Sequence, residues 1–273
     1  MRVKFILTLV LSLLFFSVAT AASNHFANVE LIEKNHQTGN LLFRGPIPMI
    51  GKSFAGEALL AKMKTLDADF PENYVFVDID LIGDDQNEVA MEKSSLATTF
   101  KQSTFLSWPV FGVRTVPTNP IFSKFYKRQD NISLLAEPPQ PGNPSYDIHL
   151  AQLLTTMMQT RYNTPHVFYI HCAGGCDRAG QLSTMYMMLK QQTTAQLRNE
   201  IFQYLSHNDI QGCRGRMPNN SSLDAILWGC YYIANRDQPS ASAWQQYNNY
   251  YAHCSCIYNF IRGHDLESKL KNE

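Results

Sequence analysis

Val167-Phe168-Tyr169-Ile170 runs without a break into His171-Cys172-Ala173-Gly174-Gly175-Cys176-Asp177-Arg178-Ala179-Gly180, after which Leu182, Met185 and Leu189 fall on one helical face. A short apolar run bounded by turn residues is the pattern of a strand buried on both sides. Upstream, Asn143-Pro144-Ser145 supplies a helix cap and a first-turn proline. Leu150, Leu153, Leu154, Met157 and Met158 then recur at helical spacing, with Asn163-Thr164-Pro165 as the break. The methionines in this stripe read as core packing. The predicted order is helix, buried strand, glycine-rich loop, helix, which is the grammar of an α/β domain with a parallel sheet.

Two more strands are expected. Tyr74–Ile79 follows the turn-like Phe70-Pro71-Glu72-Asn73, and Ser103–Trp108 is closed by Pro109. Prolines then recur at 109, 117, 120, 138, 139, 141 and 144, too densely for the interior of a regular element, so residues 108–144 read as a long loop, lid or insertion. Leu197, Ile201, Tyr204 and Leu205, and then Leu223, Ile226, Leu227, Cys230 and Tyr231, keep helical spacing and read as scaffold. Residues 236–273 are expected to add a helical extension. The fold class is α/β: a central, mostly parallel sheet flanked by helices on both faces, with the glycine-rich loop at the C-terminal end of a strand, where such sheets place ligands.

The N-terminus has its own signature. Arg2 and Lys4 precede an apolar run from Phe5 to Val18, and Ala19-Thr20-Ala21 follows with small residues. That order is the one of a secretory signal peptide over residues 1–22, too short in its apolar part to span a bilayer comfortably. The expectation is a secreted or periplasmic protein whose residues 23–273 form a single domain, with no transmembrane segment after cleavage. Lys and Arg number 23, as do Asp and Glu, so the chain has no general electrostatic footprint for nucleic acid.

All six cysteines, Cys172, Cys176, Cys213, Cys230, Cys254 and Cys256, lie in the last hundred or so residues. An exported protein meets oxidising surroundings, which favours disulfides. The pairs Cys172/Cys176 and Cys254/Cys256 lack the second pair and flanking histidines of a zinc site, so no metal is expected there.

Within the loop, Arg178 follows Cys172 by six residues. A loop joining a buried strand to a helix N-terminus gathers backbone N–H groups, and the helix dipole adds positive potential, which suits a phosphate. The same field lowers the pKa of a cysteine at its rim and yields a nucleophilic thiolate. The planar fork of Arg178 can hold two phosphate oxygens while Cys172 attacks phosphorus.

His-Cys, five residues, then Arg resembles the signature loop of the cysteine-dependent phosphatases, the superfamily of protein-tyrosine and dual-specificity phosphatases. Gly175 and Gly180 fall where that signature usually has glycine. Asp177 before the arginine is similar to the variant in myotubularin-type lipid phosphatases and in some secreted bacterial phosphatases. Asn40-Leu41-Leu42-Phe43-Arg44-Gly45 resembles the entry strand of bacterial dual-specificity enzymes, and Val77-Asp78-Ile79-Asp80-Leu81 their next strand. The resemblance implies Cys172 as nucleophile and a phosphate cradle of Ala173, Gly174, Gly175, Cys176, Asp177 and Arg178. It implies that His171 orients the loop and tunes the thiolate through hydrogen bonds. Neither a metal nor any other cofactor is implied.

The same resemblance places the general acid on the segment 108–144. Trp108-Pro109-Val110 resembles the family's Trp-Pro-Asp element, but Val110 cannot donate a proton. The acids available there are Asp130, which has the usual side-chain type, and Glu137, whose spacing to Cys172 is closer to that of tyrosine phosphatases; Asp147 is a distant third. Ala179 stands where the family usually has Ser or Thr, whose hydroxyl helps the cysteine leave, so slow turnover or none is expected. Cys176 raises the alternative of a Cys172–Cys176 disulfide that shuts the site.

The expected function is hydrolysis of phosphate monoesters, on phosphotyrosine or dual-specificity targets. A phosphoinositide or inositol phosphate substrate is one alternative, and a pseudophosphatase that binds phosphorylated ligands without turning them over is another. Lys124, Lys127, Arg128, Arg214 and Arg216 fit either contacts to extra phosphates and an anionic membrane surface or ordinary solvated charges.

Overall fold

The computed structural model describes residues 25–51, 53–82, 86–110 and 144–191, with Ser222 and Ile226. A 3-10 turn, Phe26–Asn28, precedes β1 (Glu30–Lys34), β2 (Leu41–Pro46), the two-residue strands β3 (Met49–Ile50) and β4 (Ser53–Phe54), and α1 (Gly56–Leu66). There follow β5 (Val75–Asp80), α2 (Gln86–Thr99), β6 (Ser103–Ser107), α3 (Pro144–Gln159), β7 (His166–Cys172) and α4 (Arg178–Leu189). The expected segments 1–22 and 236–273 lie outside the described residues, as do residues 111–143 of the expected lid 108–144.

The chain divides into two compact units. The first holds the described residues up to Pro109 together with Met158–Ala179, and the second holds Val110, residues 144–157 and residues 180–191.

In the first unit a five-stranded sheet has the order β1-β2-β7-β5-β6. β2, β7, β5 and β6 run parallel, and β1 is an antiparallel edge with an irregularity between Leu31 and Glu33. The fold is thus α/β with a mixed, mostly parallel sheet flanked by helices, as the sequence pattern leads one to expect. β7 is central: Phe43 of β2 and Asp78 of β5 both register on Tyr169. Its burial is complete from Val167 to Cys172, which is why its sequence shows no polar alternation until His171.

One sheet face supplies Leu41, Phe43, Phe76, Val167 and Tyr169 to the core, met by Leu59 and Met63 of α1 and by Leu96 of α2 and the adjoining Phe100. Phe76 stacks on Phe100 with ring centroids 3.8 Å apart. The other face presents Leu42, Phe168, Ile170 and Ile79, also fully buried.

Asn40, buried ahead of β2, donates through Nδ2 to Met158 O (3.1 Å) and Thr160 O (2.9 Å), and its Oδ1 accepts from His166 N (2.9 Å). It fixes the entry to β2 against the entry to β7. Arg44 pairs with Glu30, its register partner on β1, through Nε to Oε2 (2.9 Å) and Nη2 to Oε1 (3.0 Å).

Two helical faces differ from the pattern read in sequence. In α3 the buried residues are Ile148, Leu150, Ala151, Leu154 and Met158, while Leu153 is exposed. The stripe is therefore rotated, because Ala151 and Ile148 take the place assigned to Leu153. α4 buries Leu182 and Met185 as expected, but also Gln181, Ser183, Thr184 and Tyr186, with Leu189 less covered. A helix covered almost all round shows no single apolar stripe. Ser183 and Thr184 satisfy their hydroxyls on Gly180 O at 3.0 and 2.8 Å.

Candidate active site

The loop leaves the C-terminal end of β7 and enters α4 at Arg178, so its strand–loop–helix context is present. Around it, Leu81 N donates to His171 O (3.0 Å) and Trp108 N to Asp80 O (2.8 Å), which draws the ends of β5, β6 and β7 together. Phosphate sites in parallel sheets occupy this edge.

Cys172 is a buried free thiol. Cys176 is disulfide-bonded. Since Cys172 is free, the Cys172–Cys176 bridge is not formed, and the other half of the Cys176 disulfide lies outside the described residues. The candidate nucleophile is therefore reduced.

Ala173 and Gly174 are exposed, whereas Gly175 and Cys176 are buried. Gly175 takes φ +76°, and a Cβ there would lie 2.5 Å from Gly45 C and 2.7 Å from Pro46 N. A Cβ on Gly174 would meet nothing within 4 Å. One glycine lets the loop lie against the end of β2, and the next faces open space. Among the described residues no acceptor takes the backbone N–H of Ala173, Gly174 or Gly175. Unused amide donors beside a helix N-terminus form an anion-binding arrangement.

Arg178, the first residue of α4, is partly buried and donates from Nη1 to Leu81 O at a long 3.4 Å. Asn28 adds a prop that sequence reasoning missed. Its Nδ2 donates to Gly174 O at 2.9 Å and lies 3.6 Å from Cys176 Sγ. Nothing marks Asn28 in the sequence, because its partners lie far along the chain.

His171 sits beside two acidic side chains of other elements. Its ring is fully buried, with Nε2 3.2 Å from Asp78 Oδ1 and 3.1 Å from Glu92 Oε1. The imidazole therefore faces these two carboxylates. Adjacent strand residues point to opposite faces, which sends His171 towards α2 and away from the face of Cys172. Burial disfavours its charged form, but the Asp78 and Glu92 carboxylates outweigh that and hold the imidazole well above its usual range. Glu92 is raised by burial, an effect His171 opposes. Tyr169 beside them is raised strongly by burial and then by those carboxylates, so its phenol stays protonated and donates to Pro46 O.

Asp130 and Glu137 lie outside the described residues. Val110 is buried, in keeping with its apolar side chain, and Ala179 is fully buried. Asp147, in the first turn of α3, accepts from Gln181 Nε2 of α4, and burial raises it from the usual 3.8 to about 7. Among the described residues no helix is long and apolar enough to cross a membrane.

No family model, curated protein or solved structure matches the chain.

Proposed function

We propose that this chain is an exported cysteine-dependent phosphatase acting on phosphate monoesters, with phosphotyrosine or dual-specificity substrates favoured and phosphoinositides as the neighbouring class. The observation that carries the proposal is a free Cys172 at the end of the central strand, separated from Arg178 at the start of α4 by a loop with unused amide donors. Cys172 Sγ attacks phosphorus as the ester P–O bond breaks, and the leaving oxygen takes a proton from Asp130 or Glu137. The amides of Ala173, Gly174 and Gly175 and the guanidinium of Arg178 stabilise the charge on the equatorial oxygens. Water then attacks the cysteinyl phosphate, returns a proton to the same carboxylate and releases phosphate. The apolar run at residues 5–18 supports export.

A second reading rests on Ala179 and Val110: a protein that binds phosphorylated ligands and turns them over slowly or not at all. Hydrolysis of p-nitrophenyl phosphate, in steady state and single turnover, separates the two. The mature protein should release nitrophenol and Cys172→Ser should not. A burst followed by a stall, relieved in Ala179→Ser, identifies breakdown of the intermediate as slow. Phosphate binding with no release, unrescued by Ala179→Ser, selects the binding protein.

A further inference from the structure

We propose that Asp78, Glu92 and His171 form a site for a first-row divalent cation, Zn2+ or Mn2+, that ties α2 and β5 to the strand carrying Cys172. One ligand atom from each residue lies within 4.8 Å of the others, and the three side chains are 0–1% exposed. The separations of 3.1 and 3.2 Å from Nε2 to the two carboxylate oxygens match donors bound at about 2.0–2.2 Å to a common ion, which sit roughly 3–3.5 Å apart.

Hydrogen bonding accounts for only part of the cluster. Oδ2 of Asp78, Oε2 of Glu92 and Nδ1 of His171 are buried without a hydrogen-bond partner among the described residues. Nε2 lies close to both carboxylates, and its single N–H cannot fully serve the two of them. Buried polar atoms left in this condition are costly, and their cost falls if they are ligands. An ion bound by the Nε2 lone pair uses the ring without needing a proton there. The second oxygen of each carboxylate is then available for bidentate coordination, which fills further positions without water.

Charge points the same way. Two carboxylates and a charged imidazole leave one net negative charge in the interior, whereas two carboxylates, a neutral imidazole and a dication sum to zero. One imidazole with two carboxylates suits Zn2+ or Mn2+ better than the all-oxygen preference of Ca2+ or the soft-ligand preference of Cu(I). The ion would lie on the sheet face opposite Cys172, so its role is to hold the strand that positions the loop, not to meet the phosphate. This site stands independently of the phosphatase reading.

The full chain, purified without a metal-binding tag, should carry close to one equivalent of Zn2+ or Mn2+ by plasma mass spectrometry. Asp78→Asn and Glu92→Gln should each lose it. Chelator should lower the melting temperature and the same ion should restore it. Because the variants can misfold, the stripped wild-type protein is also titrated with Co2+. A d–d spectrum without a thiolate charge-transfer band supports the Asp/Glu/His set. A thiolate band, or metal retained in folded Asp78→Asn and Glu92→Gln, places the ion on cysteines and overturns the proposal. So does a folded wild-type protein with no bound metal and no thermal or spectral response to Zn2+, Mn2+ or Co2+.

Discussion

Gly175 rests against the backbone of Gly45, and a Cβ at 175 would lie 2.9 Å from the Gly45 Cα as well as 2.5 Å from its carbonyl carbon. The obstacle is main chain, at the end of β2 where it pairs with β7, so it cannot rotate aside as a side chain could. The φ of +76° adds a conformational cost of about 1–2 kcal/mol for any side chain. Gly175→Ala should therefore destabilise the fold by several kcal/mol, or displace the loop and abolish phosphate binding. Gly174→Ala, facing open space, should stay within about 0.5 kcal/mol of wild type. Urea denaturation of the two variants side by side checks this, and equal losses would mean that the loop does not need its contact with β2.

Arg178 opens α4 and keeps only a long contact to Leu81 O among its described partners, which leaves most of its fork for a ligand. In Arg178→Lys the charge survives but the paired N–H groups do not. If the fork acts on the transferring phosphoryl group, kcat should fall on the order of 10²–10³-fold, more than KM rises. A change confined to KM would reduce Arg178 to a substrate anchor.

Asn40 makes two donor bonds and one acceptor bond that lock the entries to β2 and β7 together. Asn40→Ala strands two carbonyls and an amide in or near the interior, so a loss of about 2–4 kcal/mol is expected in denaturant unfolding. Activity per folded molecule should change less than stability, because the residue lies at the opposite end of the strands from the loop.

Elements with local signatures were readable from the sequence, and those defined by distant contacts were not. The run from Val167 to Ile170 reads as a strand buried on both faces and is one, and Arg178 does begin the helix after the loop. The edge strand β1, whose five residues are each only partly buried, carries no apolar run to announce it. α2 has polar residues spread around much of its surface and buries Leu96 together with the charged Glu92, so periodicity is silent there. Asp78, Glu92 and His171 come from β5, α2 and β7, and only the folded sheet brings them together. Leu153 failed as a core residue because helical spacing tells which residues share a stripe and not which stripe faces inward.

Asp147 gives a pH signature with a definite sign. Its carboxyl is raised from the usual 3.8 to about 7 by burial, with the Gln181 contact acting in the opposite direction. Below about pH 4 the acid is protonated in folded and unfolded chains alike, and its contribution is fully present. As pH climbs towards 7 the unfolded chain releases this proton while the folded chain retains it, so stability declines through that window and levels off above it. Asp147→Asn keeps the shape and an acceptor for Gln181 but removes the titration. The variant should match wild type near pH 4 and exceed it at pH 8. The margin should be on the order of 1–3 kcal/mol, less than the full shift implies because the side chain keeps some contact with solvent. Denaturant unfolding of both proteins from pH 4 to 8 measures the difference. Two curves that run parallel would show that Asp147 ionises freely in the folded protein.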